Sequence, residues 1–161
     1  MIKLLELLDF GYPGGPKIDE LAKKGEQNII LPITNLENYE FSFSGIKTAV
    51  INLNHKNPNM NKADLCVSFE NAVTEMLLDK CSKAIEEFNL DKLVLAGGVS
   101  RNSYIRNKFD ELSEKEKIDI YYPEGILCTD NAAMIAASGY YDFLKGNFAD
   151  LKLNAVPNLK L

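Results

Sequence analysis

The chain has 161 residues, of which 46% are hydrophobic and 25% charged, a balance typical of a globular protein large enough to form one domain. Its net charge of −5 argues against stand-alone binding of nucleic acid, since Lys and Arg contacts to phosphates provide most of that affinity. No apolar run approaches the ~20 residues of a membrane-spanning helix, and three cysteines without a CxxC pair favour a reducing, cytoplasmic location over a disulfide framework.

The beginning of the chain predicts two short helices joined by a turn. Residues 2–9 form an apolar helical segment, and its acidic residues argue against a signal peptide. The Pro- and Gly-rich run at 12–16 interrupts it. A second helix is predicted from Ile18 to Lys24, with Gly25 as the residue that ends it.

Two strand candidates and a helix follow. The pattern of apolar and polar residues predicts strands at 28–33 and at 40–43. Residues 45–53 are predicted to be helical, and the Asn-, Pro- and Lys-rich stretch 54–62 is predicted to be a loop. The single histidine, His55, falls in this loop, where we expect an exposed side chain without a chemical role.

The longest predicted element is a helix from Lys62 to Phe88. Asn61 is its expected N-cap, and Asp64 occupies the third helical position in the manner of a capping box. Apolar residues at intervals of three and four predict one face that packs on a core. These residues are Leu65, Phe69, Ala72, Val73, Met76, Leu77, Ala84, Ile85 and Phe88.

Strands and helices alternate in the remainder of the chain. The predicted order is a strand at 92–96, a helix at 100–112, a strand at 118–122 and a helix at 131–144. Thr129 or Asp130 is the expected cap of the last helix, and residues 146–161 are expected to be an extended tail. This alternation predicts a single α/β domain over residues 1–161.

The most informative stretch is Leu95-Ala-Gly-Gly-Val-Ser-Arg-Asn102, where a buried strand ends in two glycines. Gly97 and Gly98 let the backbone approach a ligand closely, and the following helix start offers N–H groups to an anionic or nucleotide-like group. A tight strand–helix turn with Asn102 facing solvent explains the same residues. The pattern alone therefore does not decide between a binding loop and a plain turn.

Three further segments leave similar alternatives. Thr129-Asp-Asn131 is either a helix cap or a junction that holds the Asp130 carboxylate toward a metal. Asp19 is a surface carboxylate by default, and the glycines before it are turn residues. Ser42-Phe-Ser-Gly-Ile-Lys-Thr48 lacks the spacing of a phosphate-binding loop, so we expect it to shape a cleft or an interface, with Lys47 as a weak candidate for phosphate contact.

The cysteines give no sign of chemistry. None of Cys66, Cys81 and Cys128 has a base nearby in the sequence, so we expect buried, inert thiols.

Taken together, four segments resemble the TsaD family of tRNA threonylcarbamoyladenosine synthase subunits, formerly called the glycoprotease family. They are Tyr12-Pro-Gly-Gly-Pro16, Phe41–Thr48, Leu95–Asn102 and Cys128–Ala136, in family order from about Lys3 to nearly the end. The resemblance covers the carboxy-terminal half of the family. The His-x-x-x-His and Ser-Gly-Gly-His motifs of the amino-terminal half do not occur in this sequence.

The resemblance implies the ribonuclease-H-like fold of actin, Hsp70 and sugar kinases, with this chain as an incomplete second subdomain. It implies transfer of threonylcarbamoyl from threonylcarbamoyl-adenylate to the N6 amine of the adenosine adjacent to the anticodon of tRNA. Threonylcarbamoyl-AMP or ATP/ADP would be the ligand, and one divalent metal ion, iron or zinc, the cofactor.

By the same resemblance, Gly15, Asp19, Gly97, Gly98 and Asn102 would contact the nucleotide. Asp130 would be a metal ligand beside two histidines that this chain lacks. The family also has an Asp where this chain has Ile2, which weakens the expectation of tight nucleotide binding.

Partners and alternatives follow from the same comparison. The resemblance implies tRNA binding through the intact enzyme, a paralogous actin-like subunit, an ATPase helper and no membrane contact. The alternative is a catalytically inactive fragment that only binds nucleotide or another protein and that self-associates through an unpaired sheet edge. A protease is not supported, since the sequence has neither a Ser/His/Asp arrangement nor HExxH, and the motifs point away from a sugar kinase.

Overall fold

The computed structural model describes residues 14–155, and over this range it has five α-helices and a two-stranded sheet. The helices are α1 Gly15–Ala22, α2 Phe43–Lys56, α3 Lys62–Phe88, α4 Ser103–Glu116 and α5 Ala132–Leu144; the strands are β1 Lys92–Val94 and β2 Asp119–Tyr121. The strands are parallel, with Leu93 opposite Ile120, and α4 connects them. Helices occur together with a small parallel sheet, so the predicted α/β class is confirmed.

The helix α3 has the bounds predicted for it. The Asn61 side chain accepts a hydrogen bond from the Ala63 N–H at 3.0 Å, as an N-cap should, and Asn89 ends the helix with φ 48°. Asp64 does more than a capping box requires. Besides the Asn61 side-chain amide, its carboxylate accepts the Glu26 N–H at 2.8 Å and the Asn28 side-chain amide at 3.0 Å. Asp64 thus anchors the segment that follows α1.

The strands predicted at 28–33 and 40–43 are wrong. Within residues 14–155 these segments have no strand, and Phe43 begins α2. A short strand is stable only when a neighbour accepts and donates its backbone hydrogen bonds, and the local pattern carries no information about that neighbour. The predicted helix at 45–53 is confirmed and is longer at both ends.

Two helix starts also differ from the prediction. The helix α1 begins at Gly15 rather than Ile18, since Pro16 is compatible with the first turn of a helix. Ser100 lies in a 3₁₀ turn, Gly98–Arg101, and Asn102 is the N-cap of α4. The predicted helix at 2–9 and the end of the tail lie outside the described residues; within the tail, Leu151 and Lys152 form a turn.

Gly25 is required for a reason other than the predicted one. Its φ is not positive, so it is not a left-handed helix terminator. Instead, a Cβ at this position would lie 2.2 Å from the Ala63 carbonyl oxygen and 2.7 Å from the Asp64 nitrogen. Glycine lets the end of α1 pass directly over the first turn of α3.

Two apolar cores lie along α3. The first lies between α1, α2 and the front of α3 and includes Ile18, Ile46, Val50, Leu65 and Met76. The second packs the end of α3 against α4 and the sheet, through Ile85, Ile105, Phe109, Leu112 and Ile118.

The predicted apolar face of α3 is buried or partly buried except at its end. Phe88 is exposed and contacts the Tyr39 ring at 5.7 Å, because the last turn of α3 extends beyond the second core. None of the helices in the described range is both long and apolar enough to cross a bilayer.

Candidate functional site

The start of α4 is the best-defined polar site in the described part of the chain. The Asn102 side-chain oxygen accepts a hydrogen bond from the Ile105 N–H at 2.9 Å and thereby caps the helix. Its amide nitrogen donates to Glu70 Oε1, a carboxylate on α3 that is 5% exposed. Asn102 is therefore a half-buried, fixed side chain and does not simply face solvent.

Asp19 reaches the same helix start from α1. Its Oδ1 accepts hydrogen bonds from the Ser103 N–H at 3.1 Å and from the Ser103 hydroxyl at 2.8 Å. Its Oδ2 pairs with the exposed Lys23 ammonium at 3.0 Å. The structure thus brings together Asp19 and Asn102, two predicted binding residues from distant parts of the chain. A small cavity of about 150 Å³ opens between Asp19, Glu70 and Tyr104.

The pKa values of the two carboxylates at this site are shifted in opposite directions. Burial raises the pKa of Glu70, the hydrogen bond from Asn102 lowers it in part, and the negative charge of Asp19 raises it again. For Asp19, burial also acts to raise the pKa, but hydrogen bonds from Lys23 and Ser103 outweigh it and the pKa is lowered. Asp19 is therefore the firmly ionised member of the pair. Such divergent acids in a cleft are typical of functional sites.

The glycine turn after β1 lies against the loop before α5. Gly97 has φ +87°, which only glycine adopts without strain, whereas Gly98 has no positive φ. A Cβ on Gly98 would meet Thr129 Cγ2 at 3.6 Å, an ordinary contact distance. The predicted binding turn and the residue before Asp130 are therefore neighbours.

Arg106 ties these two segments together. Its guanidinium donates to the Ser100 carbonyl, to the Pro123 carbonyl at 3.2 Å and to Cys128 Sγ at 3.3 Å, and it stacks on the Tyr122 ring. Sequence reasoning missed both Arg106 and Glu70. Each is a polar residue on an amphipathic helix, and no local signal distinguishes it from a solvated one.

Asp130 is exposed and does not cap α5. That role belongs to Asn131, whose side-chain oxygen accepts the Met134 N–H at 3.0 Å, so the expected cap at Thr129 or Asp130 is wrong. The Asp130 carboxylate is thus not used for capping. Within residues 14–155 no group of three or more His, Cys, Asp or Glu side chains is placed to hold a metal ion. Asp130 alone does not make a metal site.

Gly15 is the first residue of α1, one turn before Asp19, and a Cβ there would meet open space. The segment that contains Lys47 forms the first turns of α2, where the Thr48 hydroxyl donates to the Ser44 carbonyl at 3.0 Å. That bond lies within α2 itself, so the predicted role of this segment at a cleft stays a prediction.

The remaining expectations concern His55 and the thiols. His55 is exposed, as predicted, but it lies in the last turn of α2 and not in a loop, because this helix continues to Lys56. The three cysteines are free; Cys66 and Cys128 are buried, as predicted, whereas Cys81 is only partly buried. Burial, together with the negative charge of Glu70, raises the pKa of Cys66 to about 12, which favours the protonated thiol.

Comparison with known proteins gives consistent results. The family model described as "TsaD: tRNA N6-adenosine threonylcarbamoyltransferase" matches residues 1–137. Proteins of that name from Clostridium novyi (strain NT) and Thermosipho africanus (strain TCF52B) are 45% and 48% identical over 99% of this chain. The chain spans about half the length of these curated relatives, 49% and 50%.

A solved structure, that of HypF from T. kodakarensis, resembles 84% of this chain with a TM-score of 0.58. The match covers 17% of HypF at 17% sequence identity, so it concerns the fold alone. The sequence matches show the family as well as the fold. The family model covers most of the chain, and relatives that are 45–48% identical align over nearly all of it. The chain therefore belongs to the TsaD family of tRNA N6-adenosine threonylcarbamoyltransferases.

Proposed function

We propose that this chain is the carboxy-terminal half of an enzyme that modifies tRNA, and that it supplies part of the nucleotide-binding cleft. The enzyme would transfer threonylcarbamoyl from threonylcarbamoyl-adenylate to the N6 amine of the adenosine adjacent to the anticodon. One observation carries the proposal: Asp19 accepts two hydrogen bonds from Ser103, which lies 84 residues later in the sequence and follows Asn102 at the start of α4. Two residues expected to contact one nucleotide share one site.

The fold proposed for the chain is an incomplete ribonuclease-H-like subdomain. The unit β1–α4–β2, with parallel strands and a helical crossover, is compatible with that fold. The likeness to a segment of HypF supports an α/β arrangement of this kind. The remaining strands would come from the amino-terminal half.

The site residues would act by position and hydrogen bonding. Gly97 and Gly98 keep side chains away from the turn, so a phosphate or ribose can approach the backbone. Asp19 already uses Oδ1 for Ser103, so a ribose hydroxyl would bind Oδ2 in place of Lys23. The Lys23 side chain is 60% exposed, and releasing such a pair costs little.

Asn102 would contribute the one side-chain amide hydrogen that its hydrogen bonds within the chain do not use. The oxygen caps α4 and one amide hydrogen bonds Glu70, so the second amide hydrogen is available to an acceptor on the nucleotide. Glu70 holds the amide in a single orientation. The chain therefore presents a preformed donor next to an ionised acceptor, Asp19.

We propose that Asp130 contributes one ligand to a divalent metal, iron or zinc. The described residues alone do not fit a metal, so the other ligands would come from the amino-terminal half. When bound, such an ion would act as a Lewis acid on the ligand.

The amine of the adenosine would attack the threonylcarbamoyl carbon directly, with AMP as leaving group, so no covalent nucleophile is required. Positioning of the two reactants supplies much of the rate in such transfers. Because this chain is acidic, tRNA contacts would come from the amino-terminal half and from partners, a paralogous actin-like subunit and an ATPase helper. We propose a cytoplasmic location for this assembly.

A second candidate is a chain that binds nucleotide or another protein without catalysis. The half-length match and the incomplete metal site within residues 14–155 favour it for the isolated chain. Nucleotide binding without transfer to tRNA would be its signature.

Titration calorimetry of the chain with AMP, with and without Zn²⁺, tests the proposal. Wild type should bind at millimolar concentration or tighter. Gly15→Ala fills open space without strain, and should weaken AMP binding about tenfold or more, about 1.4 kcal/mol, because it narrows the approach to the backbone. Gly139→Ala, which also meets open space but lies in α5, is the matched control and should bind normally. A folded chain that does not bind AMP, or equal affinity in both variants, would contradict the proposal.

A further inference from the structure

Both arginines of the chain, Arg101 and Arg106, lie next to the glycine turn, and the fold uses one of them. The Arg106 guanidinium donates to two backbone carbonyls and to Cys128 Sγ. Arg101 is exposed, and within the described part of the chain its guanidinium forms no hydrogen bond or ion pair. Its planar set of N–H donors is therefore available to a ligand.

The 3₁₀ turn Gly98–Arg101 places the Arg101 side chain on the same face as Gly98. A 3₁₀ helix has three residues per turn, so positions i and i+3 are aligned, about 6 Å apart along the axis. Gly98 has no side chain, and a Cβ on Gly97 would meet nothing within 4 Å. The space beside the two glycines is therefore open, and Arg101 lies at one end of it.

The loop before α5 faces both ends of this turn. A Cβ on Gly98 would lie 3.6 Å from Thr129 Cγ2, and a Cβ on Gly125 would lie 3.8 Å from Arg101 Nε. Two separate contacts thus show that the face shared by Gly98 and Arg101 is directed at this loop. The Arg101 guanidinium lies where the glycine turn meets the loop that leads to Asp130.

A nucleotide phosphate at this position needs a cation, because carboxylates flank the glycine turn. Asp19 bonds the start of α4 on one side, and Asp130 follows Thr129 on the other. The Lys23 ammonium is paired with Asp19 at 3.0 Å. Arg101 supplies positive charge that no ion pair in the described range neutralises, and a guanidinium can bond two phosphate oxygens at once.

We propose that Arg101 binds the phosphate of the nucleotide, with its guanidinium donating to phosphate oxygens while the nucleotide occupies the space beside Gly97 and Gly98. This inference rests on the proposed nucleotide binding and adds to it the residue that distinguishes a nucleotide from its nucleoside. Removal of the guanidinium should weaken the binding of AMP and leave the binding of adenosine unchanged.

Titration calorimetry with AMP and with adenosine measures this difference. Arg101→Ala should weaken AMP binding about fivefold, the loss expected for a charged pair at an exposed site, and should change adenosine affinity by less than about twofold. Lys56→Ala removes another exposed cation, in the last turn of α2, and is the matched control for net charge. It should bind both ligands as the wild type does. Circular dichroism confirms that each variant is folded.

The presence of two arginines also permits a direct observation of the contact. In heteronuclear NMR of nitrogen-labelled protein each arginine gives one Nε–H signal, and Arg101→Lys assigns the two by removing one of them. The Arg101 signal should shift when AMP is added and stay in place with adenosine. The Arg106 Nε–H already donates to the Ser100 carbonyl, so its signal is an internal reference.

The proposal would be overturned if the wild type binds AMP and the Arg101→Ala variant binds it equally well, or if AMP leaves the Arg101 signal in place. Equal losses of AMP and adenosine affinity in Arg101→Ala would also overturn it, because the residue would then act on the shape of the turn and not on the phosphate. These results leave nucleotide binding itself intact. A folded wild-type chain that binds neither ligand would instead contradict the proposed function, and this inference with it.

Discussion

Replacing Gly25 with alanine should destabilise the chain through a backbone collision. The added Cβ would lie 2.2 Å from the Ala63 carbonyl oxygen and 2.3 Å from its carbonyl carbon. Both atoms belong to the first turn of α3 and cannot rotate away as a side chain would. The segment after α1 must therefore move outward by roughly 1 Å to restore an ordinary contact.

This movement has two costs. Forcing extra atoms into a packed junction costs about 1–3 kcal/mol. The displacement also lengthens the hydrogen bonds from Glu26 and Asn28 to Asp64, now 2.8 and 3.0 Å, and bonds to a charged group contribute about 1.5–3 kcal/mol each when well shielded. Because this junction is partly exposed, we expect a total loss of about 2–4 kcal/mol.

Urea unfolding followed by circular dichroism measures the loss. With an m-value of about 2 kcal/mol/M, the midpoint should fall by about 1–2 M. Gly15→Ala is the matched control, since nothing lies within 4 Å of its Cβ, and its midpoint should stay within about 0.3 M of wild type. A Gly25→Ala variant as stable as the Gly15→Ala variant would refute the close approach of α1 and α3.

Three further substitutions test individual contacts. Glu70→Gln keeps an acceptor for Asn102 but cannot ionise. Because burial raises the Glu70 pKa above 4.5, the wild type loses stability as the pH rises from 4.5 through the folded pKa. The free energy of unfolding of the variant, measured in urea, should therefore increase relative to that of the wild type as the pH is raised from about 4 to 7. Lys80→Met removes a buried ammonium that donates to Asn35 Oδ1 and to two loop carbonyls, and should cost about 2 kcal/mol and speed hydrogen exchange in that loop. Gly97→Ala should lower the free energy of unfolding by about 1–2 kcal/mol, measured by thermal unfolding, because alanine is strained at a φ of +87°. Gly98→Ala should leave the stability unchanged, and equal effects of the two substitutions would contradict the turn geometry.

Elements determined by local interactions could be predicted from the sequence. The cap at Asn61 and the long apolar face set the bounds of α3, and β1, β2 and α5 lie within a residue or two of their expected places. The strands expected at 28–33 and 40–43 fail because strand formation depends on a distant pairing partner. The side chains of Lys80 and Asp64 instead hold parts of this region through polar contacts across more than 35 residues.

The candidate site was predictable in part. Family resemblance singled out Asp19 and Asn102, and the structure brings both to the start of α4. The contact of Asn102 with Glu70 was not predictable, because the two residues are 32 positions apart in the sequence. The residue pattern of α3 also does not show which of its polar residues are buried. Asp130 was predicted as either a cap or a ligand, and the structure removes the first alternative.

The bonds of Arg106 have a mechanical consequence. One guanidinium on the first turn of α4 contacts the carbonyl of Ser100 on one side and the sulfur of Cys128 on the other. The glycine turn and the loop that leads to Asp130 are therefore bridged by a side chain that belongs to neither. Any ligand that moves these two segments apart must break a charged hydrogen bond or shift α4 itself, so the two loops cannot adapt independently.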